Sequence, residues 1–376
     1  MEAVKSTGAS RAVEQKERGY GGALIMGFEI AQGNYFLTMD ADLSHSPEFI
    51  RNLWLQRENA EVVIASRYVA GGKAVMPATR YVLSRTLNVF FSRGLSLGVR
   101  DMSSGFRLYK ATVVRKLRPE ARDFDVLQEI LVRAIVEGYR VKEIPFSYAP
   151  RLHGSSNANV FRFGLAYRRT FWRLWKLRNS ILSADYDDRA YNSDIFLQRY
   201  WQRQRYRHIT ELIAGEGPVL DVGCGSSRII GALPEGSIAI DVLMRKLRYA
   251  RKFSRDLVQA SGFLLPIPSG AFTCVVCSQV IQHVPKESPI LEELIRTLAP
   301  SGKLVLGTPD YANWEWVLTK KLYGWVARNT ASAEHVAHYT RQELIEHFQR
   351  RGFTLEATRY ILRGELILAF RKGNAA

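Results

Sequence analysis

The chain has 376 residues, of which 47% are hydrophobic, so it is too long for one ordinary domain and can bury two cores. Its formal net charge is +17, and residues 1–180 carry most of the excess, with 28 Lys and Arg against 16 Asp and Glu. This excess of positive charge suits phosphorylated substrates or an anionic membrane surface. The sequence shows no nucleic-acid motif, no signal peptide and no run of 18 apolar residues. It therefore predicts a cytoplasmic protein that neither spans a membrane nor binds nucleic acid.

The first predicted elements end in a pair of acids. A helix over residues 19–31 is followed by an apolar strand over residues 35–39, which stops at Asp40-Ala-Asp42. Two carboxylates one residue apart at a strand end can hold one Mg²⁺ or Mn²⁺, which in turn binds the diphosphate of a sugar nucleotide. Asp-x-Asp also occurs by chance in turns, so these residues alone leave an ordinary turn equally open.

Further segments of the first half follow in a recognisable order. They are MDADLSHSPEFI at 39–50, VVIASRY at 62–68, RDMSSGFRLY at 100–109, FDVLQE at 124–129, VKEIPF at 141–146 and RLHGSS at 151–156. Over residues 15–160 the chain therefore resembles the family 2 glycosyltransferases of the dolichyl-phosphate mannose synthase type. The resemblance implies a GT-A-like α/β domain, with Asp40 and Asp42 as ligands of Mg²⁺ or Mn²⁺. It also implies a GDP-mannose-like nucleotide sugar as donor and a polyprenyl phosphate as acceptor.

The same resemblance implies that Arg67, Arg107 and Arg151 lie near phosphates, which suits their fixed fork of donors, although each alone could equally be a solvated surface charge. The family's first strands, which hold the nucleobase, have no counterpart in this sequence. We therefore expect an incomplete domain that binds a divalent metal but transfers sugar poorly or not at all, because remote contacts position the reacting centre.

A cationic helix is predicted between the two halves. Residues 161–180 contain no acid and six basic residues, and Trp172 and Trp175 border the basic face. The cations that share this face are Arg162, Arg169, Arg173 and Lys176. Such a helix suits an anionic lipid surface, and the alternative is a helix that packs on its domain and turns solvated cations outward. The acidic residues 185–188 then mark a predicted linker.

The second half opens with a pattern that favours nucleotide binding. Residues 218–227, PVLDVGCGSS, lead an apolar strand into an acid and a loop in which Gly223 and Gly225 let the backbone turn tightly beside a cofactor. Asp241 ends the next strand 20 residues after Asp221, where a carboxylate can accept hydrogen bonds from two ribose hydroxyls. A loop, a fourth strand and a helix start follow at residues 265–285.

Taken in order, these segments resemble the class I S-adenosylmethionine-dependent methyltransferases, of the type 11 kind, over residues 185–376. Ser227 replaces the third glycine of the loop, and Ser261 stands where relatives carry an acid that contacts adenine. The residues that the resemblance assigns to the cofactor are Asp221, Gly223, Cys224, Gly225, Ser227, Asp241, Ser261, Gly262 and Ser278. The alternative is a Rossmann domain that binds another nucleotide.

Three histidines are candidate general bases: His283 after the fourth strand, and His335 and His338 in an aromatic insertion after the fifth. A packing or capping role is open for each, since Thr340 predicts the N-cap of a helix over residues 341–351. Cys274 and Cys277 have a spacing seen in zinc sites. They lie on an apolar strand without a fourth ligand, however, so we expect buried thiols in a reduced compartment.

The sequence thus predicts two α/β domains in series. Residues 1–180 form an incomplete GT-A-like domain that ends in the basic aromatic helix, and residues 185–376 form a Rossmann-like, seven-stranded methyltransferase domain. The expected function is methyl transfer to a lipid, a saccharide or a lipid-linked saccharide. One alternative is a bifunctional enzyme that also transfers mannose or another sugar to polyprenyl phosphate, and another is a first domain that is a non-catalytic adaptor for a membrane or partner. The predicted location is the cytoplasm, with the basic helix on the inner face of the membrane.

Overall fold

A computed structural model describes residues 13–15, 19–42, 44–148, 160–317 and 335–373, with the backbone alone for residues 160–166. The chain divides into two compact units, Met1–Arg178 and Asn179–Ala376. Each unit has its own sheet and its own hydrophobic cores. The predicted fold class, two α/β domains in series, is therefore confirmed.

The N-terminal unit has helices on both faces of a small mixed sheet. Its helices are α1 (Tyr20–Ile30), α2 (Ile50–Leu55), α3 (Ala78–Gly94), α4 (Ala111–Lys116), α5 (Val126–Val136) and α6 (Val160–Arg178). Its strands are β1 (Tyr35–Thr38), β2 (Val62–Ser66), β3 (Lys73–Ala74), β4 (Arg107–Lys110), β5 (Val141–Pro145) and β6 (Ser147–Tyr148). The main sheet has the order β1-β4-β2-β5, in which only the β2–β5 pair is parallel, while β3 and β6 form a separate parallel pair.

Strand β2 shows why this sheet is covered on both faces. Val62 and Ile64 pack into the larger core beneath α3, α5 and α6, whereas Val63 and Ala65 pack into a second core with Leu53 of α2. Successive side chains of a strand point to opposite faces, so an uninterrupted apolar strand needs a layer on each side. This sandwich fixes the end of β1, just before Asp40, at one edge of the sheet.

The C-terminal unit has a seven-stranded sheet. Its helices are α7 (Tyr186–Tyr191), α8 (Phe196–Ile213), α9 (Ile229–Ala232), α10 (Met244–Ala250), α11 (Ile290–Thr297) and α12 (Arg341–Gln349). Its strands are β7 (Val219–Val222), β8 (Ile238–Asp241), β9 (Asp256–Gln259), β10 (Phe272–Ser278), β11 (Leu298–Pro309), β12 (Phe353–Ile361) and β13 (Glu365–Lys372). The order is β12-β13-β11-β10-β7-β8-β9, and β13 is antiparallel to both of its neighbours.

The parallel strands of this sheet place the predicted cofactor residues at one edge. Side chains of β10 alternate between two cores, with Val275 and Cys277 on one face and Cys274 and Val276 on the other. Strands β10, β7 and β8 are parallel neighbours, so their carboxyl ends meet at a common edge. In open α/β sheets, ligands bind in the crevice at this edge.

Two local predictions of the sequence have different outcomes. The linker predicted at residues 185–188 is wrong, because Asp185 is the N-cap position of α7 and the segment belongs to the C-terminal unit. The capping box is confirmed: Glu343 N donates to Thr340 Oγ1 at 3.2 Å, and Thr340 N donates to Glu343 Oε2 at 2.9 Å.

The basic helix α6 packs on the N-terminal unit through one face and exposes another. Leu174 is fully buried in the core, and Arg173 donates to the buried Glu129 Oε2 at 2.7 Å, so Arg173 is not a free surface cation as the sequence suggested. Trp172 is 56% exposed, and Arg169 and Lys176 are exposed beside it. The side chain of Arg162 lies outside the described residues. Among the helices that the structure describes, none combines the length and apolar character needed to cross a membrane.

Candidate functional site

A cavity of about 820 Å³ opens at the carboxyl ends of β7, β8 and β10. A cavity of this size is in the range of small-molecule and cofactor sites. The predicted cofactor residues that line it are Asp221, Gly223, Cys224, Gly225, Ser227, Asp241, Ser261, Gly262 and Ser278. Of the histidine candidates, His283 and His335 lie in its wall. The fold therefore brings into one crevice residues that span most of the C-terminal unit.

The glycine loop after β7 is held so closely that a side chain would not fit. Gly223 and Gly225 have φ of 75° and 57°, in the region that favours glycine. A Cβ on Gly223 would lie 2.1 Å from Val280 Cγ2, and one on Gly225 would lie 2.8 Å from Asp187 Oδ2. The loop consequently presents bare backbone to the cavity, as close approach of a ligand requires.

Asp187 of α7 fixes the far side of this loop, a role that sequence reasoning missed. Its Oδ2 accepts hydrogen bonds from Ser226 N at 3.0 Å, Ser226 Oγ at 2.9 Å and Lys246 Nζ at 2.9 Å. Burial alone would raise the pKa of Asp187, but Lys246 and the Ser226 donors lower it below its ordinary value. Because these contacts join residues 39 and 59 positions apart, no local motif marks them.

Two acids at the ends of neighbouring strands differ in their surroundings. Burial, and then the charge of Asp241, raises the pKa of Asp221 to about 7. Asp241 accepts from Gly225 N at 2.8 Å and Leu243 N at 2.7 Å, and burial raises its pKa despite these bonds. Both carboxyls therefore bind protons more strongly than an ordinary aspartate does. A cationic ligand beside them would lower their pKa again. Burial also raises the pKa of the Cys224 thiol well above its ordinary range.

An aromatic cluster surrounds the histidine candidates. The Tyr311 hydroxyl lies 2.5 Å from His335 Nδ1, and the His335 ring stacks on Trp316 with centroids 6.0 Å apart. His283 meets His335 edge to face at 4.9 Å. His338 instead stacks on Tyr311 at 4.1 Å, is exposed and is not in the cavity wall. The structure therefore brings two of the three predicted histidines together and leaves His338 outside.

One wall of the cavity was not predicted as part of a site. Trp201 Nε1 donates to Glu365, and Arg205 donates to both oxygens of Glu365 at 2.6 Å. A Cβ on Gly364 would lie 3.0 Å from Trp201 and 3.4 Å from Trp316. Trp201 and Arg205 belong to α8, in which no sequence motif marks a site. Their contacts with Glu365 span at least 160 residues and have no sequence signal.

A second, smaller cavity, of about 170 Å³, lies in the N-terminal unit and is lined by Asp40 and Arg67 among others. Asp40 N donates to His45 Nδ1 at 2.9 Å. Asp42 is not in the cavity wall; its Oδ1 accepts from Ser44 N at 3.1 Å and Ser44 Oγ at 2.5 Å, which is the pattern of a local turn. Within the described residues no group of three or more His, Cys, Asp or Glu could hold a metal ion.

The three predicted phosphate arginines have different surroundings. Arg67 lines the smaller cavity and makes a two-point ion pair with Asp101, at 2.8 Å and 2.7 Å. Arg107 is fully buried, and its guanidinium donates to the carbonyls of Met102 at 2.7 Å and Leu127 at 2.9 Å. The expectation that Arg107 faces a phosphate is therefore corrected, because its donors hold backbone inside the core. Arg151 lies outside the described residues.

Comparison with known proteins gives a separate result for each half. Residues 5–118 match the model of the glycosyl transferase family 2, and residues 220–306 match the model of a methyltransferase domain. The chain is 34% identical over 174 residues to the dolichol-phosphate mannosyltransferase of Pyrococcus furiosus, covering 44% of this chain and 47% of that protein. It is 32% identical over 167 residues to the undecaprenyl-phosphate mannosyltransferase of Micrococcus luteus, covering 40% of this chain and 69% of that protein. The chain thus spans about half the length of the first relative and about two thirds of the second.

Among solved structures, the magnesium protoporphyrin IX methyltransferase of Synechocystis PCC 6803, with bound SAH, is 16% identical to this chain. The match has a TM-score of 0.40 and covers 50% of this chain and 92% of that one.

Proposed function

Because the chain belongs to the family 2 glycosyltransferases through its N-terminal unit and carries a methyltransferase domain in its C-terminal unit, we propose that it transfers a methyl group from S-adenosylmethionine to a lipid, a saccharide or a lipid-linked saccharide. The observation that carries this proposal is the crevice beside the glycine loop. Bare backbone at Gly223 and Gly225 and carboxylates at Asp221 and Asp241 line one cavity there. These residue types suit a ligand with ribose hydroxyls and positive charge.

The residues of the crevice have separate roles in this proposal. Asp241 accepts hydrogen bonds from ribose hydroxyls, and Asp221 faces the positive charge of the methyl donor. The donor, when bound, supplies an electrophilic methyl group, so the protein mainly has to orient the acceptor and exclude water. His283 or His335 takes the proton of an oxygen acceptor, since both lie in the cavity wall.

A binding measurement tests the cofactor assignment directly. Isothermal titration of the whole chain with S-adenosylmethionine should give binding that Asp241→Ala weakens, since a charged acceptor contributes about 1.5–3 kcal/mol per hydrogen bond. Asp256→Ala is the matched control, because Asp256 begins the neighbouring strand β9 and is exposed. If the Asp241 variant and the unchanged chain bind S-adenosylmethionine equally well, the assignment of Asp241 to the cofactor site is wrong.

Transfer of a sugar by the N-terminal unit is a second candidate function, favoured by Asp40 and Arg67 in one cavity. The two relatives are named as polyprenyl-phosphate-type mannosyltransferases, which supports a GDP-mannose-like donor and a polyprenyl phosphate acceptor. The carboxylates of Asp40 and Asp42 are hard oxygen ligands of the kind that Mg²⁺ and Mn²⁺ prefer. Such an ion would supply Lewis-acid stabilisation of the departing diphosphate.

The assay for this second function supplies GDP-mannose, a polyprenyl phosphate and Mn²⁺. Turnover that Asp40→Asn abolishes and Glu58→Gln leaves intact would support the bifunctional enzyme, since Glu58 is exposed in the same unit. Absence of turnover by the unchanged chain, with methyl transfer retained, would instead support a non-catalytic adaptor role for this unit.

We also propose that the protein binds the inner face of a membrane through the exposed strip of α6. This strip consists of Arg168, Arg169, Trp172 and Lys176, all of which are exposed. Cations beside an interfacial aromatic side chain suit anionic headgroups, with about 1 kcal/mol for each basic residue near the surface. A membrane location fits a lipid-linked substrate of either unit.

A further inference from the structure

Two glutamines in the wall of the larger cavity leave hydrogen-bonding atoms without a partner. Gln282 Nε2 donates to Gln279 Oε1 at 3.0 Å. Gln282 Oε1 and Gln279 Nε2, in contrast, have no hydrogen-bond partner among the residues that the structure describes. Gln282 is only 1% exposed, so its free oxygen is shielded from bulk water. Buried polar atoms without partners are rare in folded proteins, so these two residues, the glutamine pair, are a point in the cavity wall where a bound molecule can form hydrogen bonds.

The hydrogen-bonding character of the glutamine pair does not depend on how the two amides are oriented. If both amides were turned over, Gln279 would donate to Gln282 instead, and the free atoms would exchange their types. One carbonyl oxygen and one amide N–H group would remain free in either arrangement. The pair therefore offers one free acceptor and one free donor in the cavity wall. A hydroxyl group, which both donates and accepts, satisfies this combination.

The glutamine pair lies close to both the glycine loop and the candidate bases. Val280, between the two glutamines, packs against the glycine loop, as its 2.1 Å approach to a Cβ built on Gly223 demonstrates. The backbone carbonyl of Gln282 accepts from Val336 N at 2.8 Å, which fixes this turn to the insertion that carries His335. The side-chain nitrogen of Gln282 lies 3.5 Å from His283 Nε2. The pair thus lies between the glycine loop and the two candidate bases.

Another part of the cavity wall offers aromatic faces rather than free charges. The rings of Trp201 and Trp316 lie 6.4 Å apart, and Glu365 is already bonded to Trp201 and Arg205. A purely apolar acceptor would leave the glutamine pair unpaired, which is costly for buried polar atoms. A neutral ring with several hydroxyl groups at its edge and apolar C–H bonds on its faces, as in a saccharide, fits both parts of the wall.

We propose that the methyl acceptor is a hydroxyl group of a saccharide, and this inference rests on the proposed methyl transfer. One sugar hydroxyl binds the glutamine pair, and the adjacent hydroxyl faces His283. Its oxygen forms a bond to the methyl carbon, while the bond from that carbon to sulfur breaks and leaves its electron pair on sulfur. The hydroxyl proton passes to His283 or His335 and then to water. The products are an O-methyl sugar and S-adenosylhomocysteine.

The experiment uses the whole chain and S-adenosylmethionine labelled in its methyl group. The acceptor probes are the aqueous and the organic fractions of a cell extract, and the products are hydrolysed in acid, which cleaves glycosidic bonds but leaves methyl ethers. Label in an O-methyl monosaccharide from either fraction is the expected result. Label in a quinone or an N-methyl group, or label released as methanol from a methyl ester, overturns the inference and retains methyl transfer. Cofactor binding without label in any fraction contradicts the proposed methyl transfer and this inference with it.

Two variants then test the glutamine pair itself. Gln282→Leu should lower kcat/KM for the labelled acceptor by about 10-fold, the size of one lost hydrogen bond, while the Kd for S-adenosylmethionine and the melting temperature stay unchanged. Gln342→Leu is the control, because Gln342 is exposed on α12. Gln279→Leu provides the same test at a partly exposed site should the first variant fold poorly. A parallel rise in the Kd for S-adenosylmethionine would assign the pair to the cofactor, and unchanged kcat/KM in both variants would refute a role in acceptor binding.

Discussion

The affinity for S-adenosylmethionine should depend on pH through Asp221. This carboxyl is buried next to Asp241, and its pKa is raised to about 7. At that pKa about 3% of the carboxyls are ionised at pH 5.5 and about half at pH 7. If the ionised form faces the positive charge of the ligand, the apparent affinity should rise by about 15-fold between these two values. Both values lie below the pKa of the ligand's own amino group, at about 7.7–8.0, so its titration contributes little.

The same raised pKa fixes the sign of the effect on stability. A carboxyl whose pKa is higher in the folded chain favours folding while it is protonated, and this contribution is lost as the pH rises through about 7. The free chain therefore loses this contribution progressively between the ordinary carboxyl pKa of 3.8 and about pH 7, the range over which binding of the ligand should strengthen. Isothermal titration and thermal unfolding at the two pH values, with Asp221→Asn beside the unchanged chain, measure both effects. A pH dependence that persists in Asp221→Asn, or a Kd that is equal at pH 5.5 and 7, would refute the reasoning.

Three further predictions concern other parts of the structure. Asp187→Asn should lower the free energy of unfolding by about 1–3 kcal/mol, because it weakens the bonds to Ser226 and Lys246, and it should also weaken S-adenosylmethionine binding. Urea unfolding and isothermal titration measure the two effects, and unchanged values would show that Asp187 does not hold the glycine loop. Replacement of Arg168 and Arg169 by Gln should reduce co-sedimentation with anionic vesicles, and the binding of the unchanged chain should fade at about 1 M salt, whereas equal pelleting with neutral vesicles would favour a packing helix. Thr340→Ala should cost about 1 kcal/mol through loss of the capping box, with Thr354→Ala as an exposed control.

The parts of the fold that the sequence predicted well are those coded locally. An apolar run that ends in an acid and a glycine loop specifies a buried strand and its turn within ten residues, so β7 and the loop could be identified directly. Asp241 could be identified because it ends the next apolar run in the same way. The capping box of α12 has the same local character. Local patterns also identified α1 and β1 before Asp40.

The remainder of the site depends on contacts between distant segments. Glu365 bonds to Trp201, 164 residues away, and no periodicity relates them. The charge of Arg107 suggested a phosphate, but its two terminal nitrogens donate to the carbonyls of Met102 and Leu127 inside the core, which only the tertiary fold determines. The free atoms of Gln279 and Gln282 are recognisable only after every neighbouring donor and acceptor has been placed.

Helix α6 bears on how two such units came to be joined in one chain. Its Leu174 is fully buried in the N-terminal core, and Arg173 is one of two arginines that pair with the buried carboxylate of Glu129. Arg178, in its last turn, donates to the carbonyls of Leu95 and Ser96. Loss of one partner from a buried ion pair strongly destabilises a protein. A gene junction placed before residue 160 would therefore have deprived the N-terminal unit of α6 and damaged its fold. A junction that keeps this unit intact lies after α6.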